Sequence, residues 1–484
     1  VIEDRSPTGV QHIAALWRRR SVGWIAPGDG WVMGIGTALM IGLLTSFWLL
    51  ATRTGPDTWV PILIIVFALV TTIPLICRLT RAPYDRKLRW ILIVALVLKL
   101  ASSFARYYVN EVSYAGEADA GQYDDAGKVF VNNVHHGKFS IEGSKVDGLS
   151  DETHVVGYVT GILYLVVGTT FMGGFVAFAW VCFLGLLFFF QAFRISYPNA
   201  PPYLTAALLF FLPSMLYWPS SIGKDALMVF CIGAATYGIA RLLAGKMRLL
   251  GIAVAAPAVA LILGVRPHIL MILLVGFAAS LVARNAAGTK ALGAAVTRVL
   301  VLILLVPMLL IGIGRMDTFF GTTDGGIQST LDRTEKQTSI GGSAFETQPV
   351  TNPLDFPVAT ISVLYRPFIF EASGVAMISA LEGTLLLGLT IVSARWIWRI
   401  GPAMYRSQFA AFCGGYVLAF VFAFSNIGNA GILARQRVQL FPIVILLAMA
   451  AKEHQRVHLE SASAALAPVA SIDDVPEKVL STQP

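Results

Sequence analysis

The stretch Met172-Gly-Gly-Phe-Val-Ala-Phe-Ala-Trp-Val-Cys-Phe-Leu-Gly-Leu-Leu-Phe-Phe-Phe-Gln-Ala-Phe193 holds no charged residue. It matches the ~20 apolar residues that a helix needs to cross a ~30 Å hydrocarbon core. Similar runs recur on both sides of it. The candidate spans are Trp31–Ala51, Trp59–Cys77, Leu88–Phe104, Met172–Phe193, Tyr203–Pro219, Ala226–Leu243, Leu249–Gly264, His268–Ala283, Val296–Gly314, Ser373–Ala394, Phe409–Phe424 and Leu433–Ala451. A further stretch, Val155–Thr170, is shorter and broken by glycine. Of the 484 residues, 56% are hydrophobic and only 13% charged. The mean hydropathy is +0.71, outside the range of soluble globular proteins. The expected fold is an all-α polytopic membrane protein with about twelve transmembrane helices.

The loops set an expected orientation. Arg18-Arg19-Arg20 and the segment Arg78 to Arg89 are basic and separated by an even number of spans, so both belong on the cytoplasmic side. Counting back from the basic residues Lys452 to His458 agrees, provided Val155–Thr170 is a re-entrant or interfacial helix. Both termini are then cytoplasmic. Residues 1–30 form a polar cytoplasmic segment, 31–451 the transmembrane domain and 452–484 a disordered tail. The net charge of +8 fits this loop distribution, and no nucleic-acid partner is expected. Cys77, Cys182, Cys231 and Cys413 lie in or beside apolar runs without metal spacing, as small buried or lipid-facing residues.

That topology puts two large loops outside the cytoplasm, 105–153 and 315–372. The first opens Arg106-Tyr-Tyr-Val-Asn-Glu111 and continues Glu117-Ala-Asp119-Ala-Gly-Gln-Tyr123-Asp124-Asp125. Its apolar residues fall at helical spacing, so it is expected to lie on the membrane surface with Tyr123 and Phe130 dipping in. Asp119 and Tyr123 then share a face. A carboxylate held there can act as general base toward an acceptor hydroxyl; a plain solvated acidic loop is the alternative. On the same side fall Lys224-Asp225, Arg266-Pro267-His268, Arg366 and Glu371 at the end of the second loop, and Arg435-Gln436-Arg437.

Cations at the outer ends of spans run against the usual distribution and suit an anion at the membrane surface, such as a lipid-linked phosphate. Pairing is the alternative: Lys224 with a loop carboxylate, Arg366 with Glu371, or any of them with native lipid headgroups. Proline after Arg266 and Arg366 puts each arginine at an element boundary facing water. His268 is either a phosphate donor, a base or a polar cap. Glu382, inside a span, allows a proton relay or a helix–helix hydrogen bond. The chain has no Walker loop, dinucleotide fingerprint, zinc spacing or nucleophile elbow, which argues against ATP-driven transport.

From Leu88 to Leu243 the order of elements resembles the GT-C superfamily of membrane glycosyltransferases. Asp119-Ala-Gly-Gln-Tyr123 is similar to that family's loose Asp-x-x-x-Tyr signature. The resemblance implies an inverting transfer from a polyprenyl-phosphate-linked sugar donor to an extracytoplasmic glycan or lipid-linked acceptor in the bacterial plasma membrane. It makes Asp119 the catalytic base, with Asp124 or Asp125 assisting it or holding a divalent cation (Mg or Mn). Asp225 matches the second acidic position. Tyr123, Lys224, Arg266, His268, Arg366, Glu371, Arg435 and Arg437 complete the expected substrate site. Two spans precede the loop-bearing one, a departure from many members, and no Trp-Trp-Asp motif is present. An O-antigen-type polymerase or ligase would lean on Arg366 and His268 instead of Asp119. A transporter for lipid-linked saccharide would show inverted repeats, and no internal repeat is visible; a non-catalytic scaffold is the remaining alternative.

Overall fold

A computed structural model of the chain describes residues 51–80, 85–114, 119–283, 344–372 and 376–466, with a few positions between 38 and 49. The chain divides into two compact units, Val1–Ile62 and Leu63–Pro484, and nearly all the described helices belong to the second. Among the described residues regular structure is helical, apart from one isolated bridge between Ala344 and Asn429.

In chain order the helices are α1 (Pro56–Leu79), α2 (Arg86–Tyr114), α3 (Asp119–His135), α4 (Asp151–Val167) and α5 (Phe171–Ser196). There follow α6 (Pro202–Phe211), α7 (Pro213–Tyr217), α8 (Lys224–Ala244), α9 (Arg248–Val265) and α10 (Pro267–Val282). After the undescribed segment come α11 (Phe356–Tyr365), α12 (Ala376–Val392), α13 (Ala394–Ile397), α14 (Ile400–Arg406), α15 (Gln408–Phe424), α16 (Ala430–Gln436) and α17 (Phe441–Leu466).

Among the described residues five helices are long and apolar enough to cross a membrane: α1, α2 through Val112, α5, α8 and α9. Counting each of two bent pairs as one span raises this to seven. The described residues do not support the expected number of about twelve. Trp31–Ala51 lies for the greater part, and Val296–Gly314 wholly, outside the described residues. Elsewhere proline and bends cut the apolar runs short. Tyr203–Pro219 breaks at Leu212, whose extended backbone (φ −60°, ψ 129°) is what a residue before proline prefers. His268–Ala283 and Phe409–Phe424 become helices of 16 and 17 residues. Ser373–Ala394 turns by 69° after Val392, and Leu433–Ala451 by 56° after Gln439. Val155–Thr170 belongs to α4, a 17-residue helix not of span length.

Two boundaries also move. The first loop was expected to leave its span at Ala105, yet α2 continues to Tyr114. The tail from Lys452 begins as helix, because α17 runs to Leu466; residues 467–484 lie outside the described residues. Of the second loop, 315–343 is likewise not described.

The core is built around α5, whose apolar window is 78% buried against 22% for α9. Phe175, Phe178, Phe183, Phe189, Phe190 and Phe193 are all fully buried along it. The α5–α8 crossing is glycine on glycine. A Cβ at Gly185 would sit 2.5 Å from the Cα of Phe230, and one at Gly233 would collide with the Gly185 carbonyl. Small residues of this kind bring two backbones into direct van der Waals contact. Cys182, Cys231 and Cys413 are buried and free, and Cys77 is half-buried and free. Glu382 accepts from the Ser214 hydroxyl at 2.8 Å and its backbone N–H at 3.0 Å, a hydrogen bond between helices that caps α7.

Candidate functional site

The acidic segment folds as α3, as its spacing implies, but it lies against protein. Phe130 packs on Gly161 of α4, where an added Cβ would come within 2.6 Å of the ring. It meets Tyr158 edge-on at 5.7 Å. Tyr123 is 4% exposed, and burial together with the Asp119 charge pushes its phenol above the ordinary range, so it stays neutral. The expectation that these two rings dip into lipid is therefore corrected: Phe130 covers α4, and Tyr123 lies against the turn at Gly223.

The packing of α3 also separates the three acids. Asp124 accepts from the Tyr164 hydroxyl at 2.5 Å and pairs with Lys128 at 2.7 Å. Asp125 accepts the Lys145 backbone N–H at 2.7 Å, fastening the loop after α3. Both serve packing. Asp119, in the first turn of α3, lies elsewhere, with its side chain 56% exposed and paired to Arg435 at 2.9 Å.

Arg435 is the hinge of a larger cluster. Its Nη1 meets Asp119 while its Nε donates to Oδ2 of Asp225, which is 4% exposed. The other oxygen of Asp225 accepts from Nη2 of Arg266 at 2.9 Å. Arg266 Nη1 donates to Gln436 Oε1 at 2.6 Å, and Gln439 donates to the same oxygen at 2.7 Å. Helices distant in sequence thus meet through one buried carboxylate. Transfer of such a charge from water is costly unless it is paired, and here two guanidiniums share it.

Local sequence explains each placement. Gly223 adopts φ 150°, a conformation that favours glycine, and this turn starts α8 with Lys224 and Asp225 in its first turn. An acid there also faces the positive end of the helix dipole. Arg266 fills the break between α9 and α10 with a non-helical backbone (φ −149°, ψ 80°), as the α region is disfavoured before Pro267. The Asn429 side chain accepts from the N–H groups of Gly431 and Ile432 at 3.0 and 3.1 Å, capping α16 and aiming Arg435 back at α8.

The expected cations do not all gather. Arg266 sits at an element boundary, but it is 6% exposed and does not face water. Lys224 donates to the Thr153 hydroxyl at 3.3 Å, with Glu152 and Asp119 as nearby acids. Arg366 pairs with Glu371 at 3.2 Å, donates to the Glu346 carbonyl at 3.0 Å and stacks 4.4 Å over Phe345. Glu371 also accepts the Phe368 N–H at 3.0 Å, so this pair fastens its own segment, apart from Asp225. Arg437, 3% exposed, donates to the Leu364 carbonyl at 2.7 Å and holds the end of α11. His268 is half-buried with its ring 6.0 Å from Phe424.

Asp119 and Arg435 line a cleft of about 400 Å³ with Arg106, Asn110, Trp218 and Asn429. Arg106 belongs to the site although its position in the sequence assigned it no role. Its guanidinium lies 5.0 Å from the Tyr217 ring and 5.2 Å from Trp218, and Nη1 donates to the Tyr217 hydroxyl at 3.2 Å. No carboxylate pairs with it among the described residues, and its buried Nε has no hydrogen-bond partner there. The signal in the sequence was an arginine and a Trp-Pro at the same end of two apolar runs.

The donor set does not suit a divalent cation. Asp119 and Asp225 are both engaged by arginine, and Asp124 and Asp125 diverge onto other partners. No group of three His, Cys, Asp or Glu side chains among the described residues has metal-binding spacing. No family model, curated protein or solved structure matches the chain.

Proposed function

We propose that the chain is an integral membrane glycosyltransferase of GT-C type, with its cleft outside the cytoplasm of a bacterial plasma membrane and both termini inside. It moves a sugar from a polyprenyl-phosphate donor to a hydroxyl of an extracytoplasmic glycan or lipid-linked acceptor. The observation that carries this reading is the half-exposed Asp119 carboxylate and a carboxylate-free Arg106 lining one cleft at the head of the apolar helices.

In this reading Asp119 removes the proton from the acceptor hydroxyl. The acceptor oxygen attacks the anomeric carbon as the carbon–phosphate oxygen bond breaks on the opposite face, with inversion. The bond electrons leave on the prenyl phosphate, and Arg106 and Arg435 stabilise the charge that develops there. Asp225 holds Arg435 and Arg266 in register. Arg366 and His268, on which polymerase or ligase chemistry would lean, do not line the cleft.

The test is Asp119→Asn, assayed with prenyl-phosphate sugars and membrane acceptors. General-base catalysis is worth about 10²–10⁴-fold, so transfer should fall by at least ~100-fold while the purified protein stays folded. Transfer within a few-fold of wild type removes Asp119 from the chemistry.

A further inference from the structure

At the other end of α5 lies a second built cavity, of about 320 Å³. Phe171, at the head of α5, meets Tyr107 edge-on beside Arg106, whereas Phe193, near its foot, lines this cavity. At 1.5 Å per residue the two ends are roughly 33 Å apart, close to the ~30 Å of a hydrocarbon core. The walls come from α6, α13 and α17.

The lining has two parts. Phe193, Leu204, Met449 and Leu459 give it an apolar side. The polar side carries three cations, Arg395, Lys452 and Arg456, and one acid, Glu453. Trp396 carries Lys452 Nζ at 4.7 Å and the Arg395 guanidinium at 5.5 Å from its ring. Neither cation has a carboxylate partner among the described residues. The third cation, Arg456, is saturated by Glu453 at 2.5 Å and Glu460 at 2.7 Å. Two polar atoms are also stranded there. The fully buried Thr205 hydroxyl and the buried amide oxygen of Gln455 have no hydrogen-bond partner among the described residues. A buried polar atom favours a partner, and a group bearing hydroxyls can donate to the Gln455 oxygen and accept from Thr205.

We infer that this cavity binds the headgroup of an anionic phospholipid, with the phosphate between Arg395 and Lys452 and the first acyl segment along Leu204, Met449 and Leu459. A phosphate diester supplies acceptors for both cations, and headgroup glycerol hydroxyls donate to the Gln455 oxygen and accept from Thr205. A Trp ring with flanking basic residues suits the headgroup level of a bilayer, where anionic lipid concentrates on the cytoplasmic face. The inference shares with the proposed function only the premise that these helices cross a membrane, and its test measures no transfer.

The full chain, purified in maltoside micelles, is titrated with dioleoylphosphatidylglycerol, dioleoylphosphatidylcholine or inorganic phosphate and followed by native mass spectrometry. Wild type should retain one phosphatidylglycerol at least ~10-fold more tightly than phosphatidylcholine, a preference of about 1.4 kcal/mol. Arg395→Gln with Lys452→Gln should abolish that preference. Arg395→Lys with Lys452→Arg, which keeps both charges and guards against misfolding, should retain most of it. Equal affinity for the two lipids in wild type overturns the inference, as does an unaffected double glutamine variant. Inorganic phosphate binding as tightly as the lipid overturns the lipid assignment.

Discussion

Asp225→Asn is the substitution that weighs most on this architecture. The side chain keeps its shape and loses its charge, so Arg266 and Arg435 remain near one another without the carboxylate they shared. Arg266 is 6% exposed and cannot turn to solvent. Removing one partner of a buried ion pair costs about 3–5 kcal/mol, because the remaining charge stays desolvated. Asp119→Asn is the internal comparison. It breaks a pair with the same Arg435, but its side chain is 56% exposed, and an exposed pair is worth roughly 0–1 kcal/mol. Thermal unfolding in detergent, read by the loss of monodisperse protein, should therefore separate the two variants. Asp225→Asn should lower the midpoint on the order of 10 °C, at a few degrees per kcal/mol, and Asp119→Asn by no more than a few degrees. Adding Arg266→Gln to Asp225→Asn should recover part of the loss, since one uncompensated cation is then gone. A single Asp225→Asn variant as stable as wild type would refute the claim that this carboxylate joins the helices.

Other substitutions separate the cleft from its surroundings. Arg106→Gln should reduce transfer at least ~10-fold with little change in thermal midpoint, since its guanidinium has no carboxylate to leave behind; steady-state kinetics with prenyl-phosphate sugars check this. Arg366→Gln should leave transfer within about two-fold of wild type in the same assay, because Arg366 pairs with Glu371 away from the cleft. Gly185→Leu should abolish accumulation of folded protein in membranes, measured by size-exclusion profile, since its side chain would occupy the space of the Phe230 backbone.

Much of this was legible in the sequence where periodicity speaks directly. Long runs such as Met172–Phe193 and Ala226–Leu243 became α5 and α8 almost as bounded, and the i,i+4 spacing of Asp119 and Tyr123 became α3. Hydropathy alone could not see the breaks. Pro213 divides a run whose composition is apolar on both sides, and the turn at Arg437–Gln439 bends another just after its polar head, where the window average hides the change in backbone geometry. The site was half readable for a similar reason. Residue type singled out Asp119, Asp225, Arg266 and Arg435. Which acid meets which base depends on tertiary packing, so Asp124 facing Tyr164 and Arg366 turning to Glu371 could be named only as alternatives or not at all. Arg106 escaped notice because its value lies in what surrounds it, two aromatic rings from a distant segment.

The glycine contact between α5 and α8 reaches beyond its own neighbourhood. Helices padded by side chains can slide, because rotamers absorb the motion; here peptide planes abut, and a shift of a few tenths of an ångström already means overlap. The two rods therefore keep a fixed stagger. Since Asp225 opens one rod and Phe193 nears the foot of the other, the height of the ionic cluster above the opposite cavity is set halfway between them, by the absence of two methyl groups.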